Sequence, residues 1–131
     1  MPEMIFRVYL PYYKNVEGSQ VLVSTSDTWT ELNVLTITDD LPAGEYVVST
    51  SWKWSSADVN DSVSFRVTSP LTTGDTHTYE PKDANDLVSR SVLKPVTHSG
   101  GAITFTFEGL KTSATEDMTV AWSGLEFERK A

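Results

Sequence analysis

Apolar and polar residues alternate along this chain in short runs, and turn-forming residues divide them about every 10 to 20 positions. The clearest run is Glu45 to Trp54. Tyr46, Val48, Thr50, Trp52 and Trp54 fall on one face, and Glu45, Val47, Ser49, Ser51 and Lys53 on the other. That is the two-residue period of a β-strand. Leu41-Pro42-Ala43-Gly44 leads into it, with proline where its fixed φ suits the second position of a type I or II turn. After a polar, turn-rich stretch from Ser55 to Asp61, Val63, Phe65 and Val67 alternate with Ser64, Arg66 and Thr68. The two runs are expected to pair as an antiparallel hairpin.

A further half-buried strand is predicted after the His98-Ser99-Gly100-Gly101 turn, where Ile103, Phe105 and Phe107 alternate with Thr104, Thr106 and Glu108. Met118, Val120 and Trp122 begin a last run, whose phase slips so that beyond Gly124 the apolar set is Leu125 and Phe127. A one-residue slip at a glycine predicts a β-bulge. A similar slip, Leu32 and Val34 followed by Leu35 and Ile37, follows Trp29. Weaker strands are predicted at Ile5 to Leu10, Val21 to Thr25 and Leu87 to Lys94. Residues 83–93 come nearest to a helical stripe, but Ser89, Arg90 and Ser91 interrupt it. The expectation is one all-β domain over residues 1–131: a two-sheet antiparallel sandwich of jelly-roll type with about eight strands. Residues 1–28 would supply leading strands and an N-terminal arm. An immunoglobulin-like sandwich is the competing architecture, and the Cys…Trp…Cys spacing of its antibody-like members is absent.

Composition strengthens the β reading. Ser and Thr make up 32 of 131 residues and Val another 14, a bias toward strands. The length suits one domain with its own core. Ten Lys and Arg against 18 Asp and Glu give a net charge of −8, which argues against nucleic acid as a partner. No apolar run approaches the roughly 18 residues of a membrane span, and Met1-Pro2-Glu3-Met4 lacks the basic start of a signal peptide. There is no cysteine, hence no thiol nucleophile and no cysteine metal site.

Catalytic chemistry finds little footing. His77 and His98 are the only histidines. His77 lies near Asp75 and Glu80, but a metal site usually needs three or four ligands at compatible spacing, so the cluster reads as a solvated turn. His98 reads as part of its Ser-Gly-Gly turn. No Gly-x-Ser-x-Gly elbow marks a nucleophile. Asp58, Asn60 and Asp61 put three oxygen side chains within four residues. An EF-hand would need glycine where Val63 stands, so these side chains read as caps of a turn, with a looser calcium loop as the alternative. The expectation is a protein that is not an enzyme and holds no metal or cofactor.

The aromatic residues are the more informative set. Four Trp and five Tyr are residue types favoured where sugars or partner proteins bind. Trp52 and Trp54 share a strand face, where they fill the core, meet a subunit or, as the alternative, form a sugar-stacking platform. Tyr12 and Tyr13 follow Pro11 in a stretch without periodicity. They read as an arm that either pins against a neighbouring subunit or tucks under its own domain.

The Leu-Pro-Ala-Gly-Glu-Tyr-Val-Val-Ser segment at 41–49 resembles the turn and strand of trimeric TNF/C1q-like jelly-rolls. Ser62 to Val67 resembles the paired strand with its outward Arg, Gly100 to Phe107 the penultimate strand, and Leu125 to Arg129 the closing one. Such domains recur in small bacteriophage virion proteins, including capsid decoration proteins and receptor-binding fibre tips. The resemblance implies binding rather than catalysis. It points to a homotrimer that decorates a capsid by contacting the major capsid or other virion proteins, made in the host cytoplasm and located on the virion. The candidate contact residues are Tyr12, Tyr13, Trp52, Trp54 and Trp122. The alternative is a carbohydrate-binding or receptor-binding sandwich module of a tail fibre or secreted protein, with a glycan as partner.

Overall fold

The computed structural model describes residues 12–22, 28–56, 62–69, 76–80, 87–111 and 118–130. Nine strands run through them: β1 (Tyr12–Glu17), β2 (Gln20–Leu22), β3 (Thr30–Leu41), β4 (Gly44–Ser56), β5 (Val63–Thr68), β6 (His77–Tyr79), β7 (Val88–His98), β8 (Gly101–Lys111) and β9 (Met118–Arg129). The first sheet has the order β1-β9-β4-β7, with β2 also on β9, and the second the order β3-β8-β5-β6. Every pairing is antiparallel. The architecture is the predicted jelly-roll sandwich.

The alternation sorts side chains between a shared core and two outer faces. Tyr46, Val48, Trp52 and Trp54 of β4 point inward, against Phe65 of β5 and Phe105 and Phe107 of β8. Trp52 stands 5.0 Å from both the Phe65 and Phe107 rings, and Tyr46 stacks on Phe127 at 4.7 Å. Such aromatic pairs add about 0.5–1.5 kcal/mol each beyond burial of their area.

Four expectations are corrected. The Glu45–Trp54 and Ser62–Thr68 runs do not form a hairpin. β4 pairs with β7 and β9, whereas β5 lies in the opposite sheet on β6 and β8. Both strands have one apolar face, and placing those faces across the core buries both. The bulge of β9 sits upstream of Gly124: Lys53 opposes Trp122 while Trp54 opposes Val120, so the extra residue lies at Ala121. The Tyr12-Tyr13 arm is the regular strand β1, paired with β9 from Tyr12↔Glu128 to Glu17↔Ser123. The strand β6 also falls where a solvated turn was expected. The slip expected between Val34 and Leu35 is present two to three residues upstream, as a register shift between Glu31 and Asn33. The predicted strand at Ile5 to Leu10 lies outside the described residues, as do Asp58, Asn60 and Asp61.

Two chain crossings close one end of the sandwich. The chain passes from β3 to β4 and from β7 to β8 side by side, where Gly44 pairs with His98 and Leu41 with Gly101. Gly100 and Gly101 have φ of 109° and 91°, a region glycine enters without steric cost. Tyr46 Oη donates to the Pro42 carbonyl at 2.7 Å. His98 Nε2 donates to the Gly101 carbonyl at 2.8 Å, and its ring meets Tyr46 edge-on at 5.7 Å.

At the β1 edge a polar clasp joins the sheets. Asn33 of β3 is buried. Its Nδ2 lies 3.1 Å from the Asn15 carbonyl and 3.3 Å from both the carbonyl and Oγ of Ser123. Its Oδ1 accepts from Asn15 Nδ2 at 2.7 Å.

Candidate functional site

The outward side chains of the two sheets differ in character. On the second sheet Thr36 opposes Thr104 and Thr68 opposes Thr106. Arg66 pairs with Glu108 at 3.0 Å, and its guanidinium lies 4.0 Å over the Trp29 ring. That face carries paired hydroxyls, a charge pair and the partly exposed Val34.

The outer face of the first sheet instead carries exposed apolar groups. Tyr12 and Val16 of β1 are 51% and 47% exposed, and Leu93 of β7 is 68% exposed. The register sets Val16, Gly124, Ser51 and Ser91 in one row, Trp122, Lys53 and Ser89 in the next, and Leu93 with Lys14, Glu126 and Ser49 in the row on the other side. Trp122 lies over Gly124: a Cβ at residue 124 would stand 3.0 Å from Cη2 of that ring. Glycine is thus what lets the indole settle on the sheet. Ser51, Lys53, Ser89, Ser91 and Trp122 line a shallow concavity beside it, and Ser51 and Ser91 share a hydrogen bond of 3.2 Å.

Charge is interspersed on this face: by register Lys14, Glu45, Lys53, Glu126 and Glu128 all point outward. Lys14 lies 3.2 Å from Glu126, an exposed ion pair of the kind that contributes little to stability. The Tyr12 phenol is raised above its ordinary pKa, first because it donates to the Glu126 carboxylate. Tyr13 points the other way, packs against the core and donates to Asp39 Oδ2 at 2.7 Å. That hydrogen bond is the main cause of its raised phenol pKa.

The predicted contact residues therefore separate. Tyr12 and Trp122 lie on the outer face of the first sheet. Tyr13 sits beneath it. Trp52 and Trp54 are 2% and 1% exposed, so of the places open to them they take the core, and their candidacy as contact residues is corrected. Their faces follow Tyr46 and Val48 inward, and a ring enclosed between sheets offers no surface to a partner. Leu93 and Val16 escaped the sequence reading. Leu93 adjoins Val92 and shows itself as an outward apolar residue only once Val88, Val92 and Val96 define the inward phase of β7.

No catalytic arrangement emerges among the described residues. Neither histidine is bonded to a Ser or Thr hydroxyl there, and no three His, Cys, Asp or Glu side chains come together to hold a metal. His77 sits on β6 facing the gap between the sheets, and His98 closes the crossing described above. No helix among the described residues is long and apolar enough to cross a membrane.

Fold and site together define a jelly-roll domain with a partly apolar sheet face and no assembled catalytic centre among the described residues. No family model matches the sequence, and no curated protein matches it. Solved structures do resemble it. A structure of infectious bursal disease virus, Gx strain, aligns with TM-score 0.59 and 8% identity, over 94% of this chain and 33% of that one. Eiger TNF from S. frugiperda aligns with TM-score 0.56 and 8% identity, over 93% of each chain. The EclA C-terminal domain, a sugar-binding protein, aligns with TM-score 0.54 and 12% identity, over 94% of this chain and 82% of that one. At such identities the likeness is one of fold.

Proposed function

We propose that this chain is a non-catalytic structural protein of a bacteriophage particle, a decoration or cement protein that self-associates as a homotrimer and attaches to the capsid surface. The observation that carries the reading is the outer face of the first sheet. Tyr12, Val16 and Leu93 stand exposed there, and the half-buried Trp122 lies one row beyond Val16. Burying such a face gains roughly 25 cal/mol per Å² of apolar surface. Weak contacts repeated in an oligomer then act together through effective concentration on a shell. The net charge of −8 keeps the free protein dispersed. The likeness to a TNF and to a virus structure supports the fold this role would use.

The test is light scattering over a dilution series, followed by incubation with undecorated phage capsids. The expected result is a concentration-stable trimer that binds shells, and a Leu93→Lys, Tyr12→Ala variant that is folded, monomeric and weakened on shells. A monomer that leaves shells bare would overturn the proposal.

One observation favours a second reading, sugar recognition. Trp122 is held over Gly124 beside hydroxyls of Ser51, Ser89 and Ser91 and the Lys53 ammonium, an aromatic plane edged by donors. A glycan array separates the two: hits lost in Trp122→Ala would move the function to carbohydrate binding.

A further inference from the structure

The two sheets part on the side opposite β1. Between β7 of the first sheet and β5 and β6 of the second they leave a cavity of about 320 Å³. Trp52, Phe65 and Phe107 form its floor, and Val48, Val67 and Val92 its walls. Protein interiors keep few voids larger than a water molecule, and an apolar cavity of about 150 Å³ already admits a benzene-sized ring. Small-molecule sites begin at roughly 300 Å³.

The polar lining is one-sided. Among the described residues Thr50, His77 and Lys94 border the cavity, and no carboxylate does. Lys94 opposes Val48 in the ladder and so lies on the inward side of β7. It already interacts within the chain, and its ammonium carries three donors. Arg66 also borders the cavity, but its guanidinium is turned to Glu108 and Trp29 on the outer face and is not counted.

We propose that this inter-sheet cavity binds a small amphipathic carboxylate, its apolar ring or short acyl chain against Trp52, Phe65 and Phe107 and its carboxylate at the His77 and Lys94 end. Apolar surface supplies the affinity, and a hydrogen bond to a charged group fixes the orientation. Leu93 of the outer face borders the cavity at its β7 rim, but the floor and the polar end lie between the sheets, so the site stands whether or not the particle role does.

The test uses the full chain with octanoate as probe and 1-octanol as its neutral counterpart. Calorimetry is expected to show one octanoate per chain, bound at least several-fold tighter than octanol, with a change in tryptophan emission because Trp52 lines the site. Intermolecular NMR contacts from the octanoate chain to the Phe65 and Phe107 rings would locate it without any variant. Val92→Phe from β7, or Val67→Phe from β5, fills the cavity and is expected to abolish binding without lowering the melting temperature. Lys94→Met is expected to remove the preference for the anion. Absence of saturable binding, binding that survives both filling substitutions, or equal affinity for octanol would each overturn the assignment.

Discussion

Asn33→Ala tests how the sandwich holds its β1 edge. Asn33 Nδ2 faces three acceptors, the Asn15 carbonyl at 3.1 Å and the carbonyl and Oγ of Ser123 at 3.3 Å. With two hydrogens it makes at most two full bonds, and Oδ1 accepts a third from Asn15 Nδ2 at 2.7 Å. Asn15 is half-buried and also donates to Glu17 at 3.0 Å, so it recovers partners or water when Asn33 is truncated. Ser123 is fully buried and recovers neither. Each net hydrogen bond contributes about 0.5–1.5 kcal/mol, and a stranded buried polar group costs about 1–3 kcal/mol. The expected loss is therefore about 2–4 kcal/mol, a large share of a typical stability of about 5–15 kcal/mol.

Urea unfolding followed by tryptophan emission measures that loss, and amide hydrogen exchange shows where it falls. Exchange should accelerate first in β1, whose attachment the clasp supports, and least in β4, paired on both sides. Asn33→Asp sharpens the test, because it sets an oxygen where Nδ2 faces two carbonyls. Its penalty should exceed that of alanine near neutral pH and shrink in acid. A carboxyl raised above its unfolded value stabilises the fold only while protonated. A loss under about 0.5 kcal/mol for Asn33→Ala, or uniform exchange across the sheet, would refute the clasp.

Two further outcomes follow from the same geometry. Trp52→Ala should cost about 3–5 kcal/mol as a large-to-small core change while Tyr12→Ala leaves stability nearly unchanged, which thermal or chemical melts would show; the reverse order would return Trp52 to the surface. Tyr13→Phe should blunt the alkaline loss of stability: the raised phenol pKa means the Tyr13–Asp39 contact stabilises fully below about pH 10 and fades as pH rises through the native value. Melts between neutral and strongly alkaline pH check this, and identical profiles for both proteins would refute it.

Much of this protein is legible along the chain. Period-two alternation through Tyr46, Val48, Trp52 and Trp54, or through Ile103, Phe105 and Phe107, is local information, and it determines which residues are strand and which face is apolar. Turn chemistry at Pro42-Ala43-Gly44 and Gly100-Gly101 is local for the same reason: φ is a property of one residue. Pairing is not local. The face that makes β4 and β5 look like partners serves equally for strands facing one another across a core, and only packing of the whole chain placed them in opposite sheets. β6 and β1 were hidden because three and six residues at sheet edges need only one neighbour, so their alternation is weak. The same limit governs the site. Aromatic content announces that rings matter, but whether Trp52 or Trp122 meets solvent depends on which side of a sheet each strand turns, and an extra residue at Ala121 is enough to reverse it. The cavity between β5, β6 and β7 has no signature in sequence, because it is a space left between strands that are far apart along the chain.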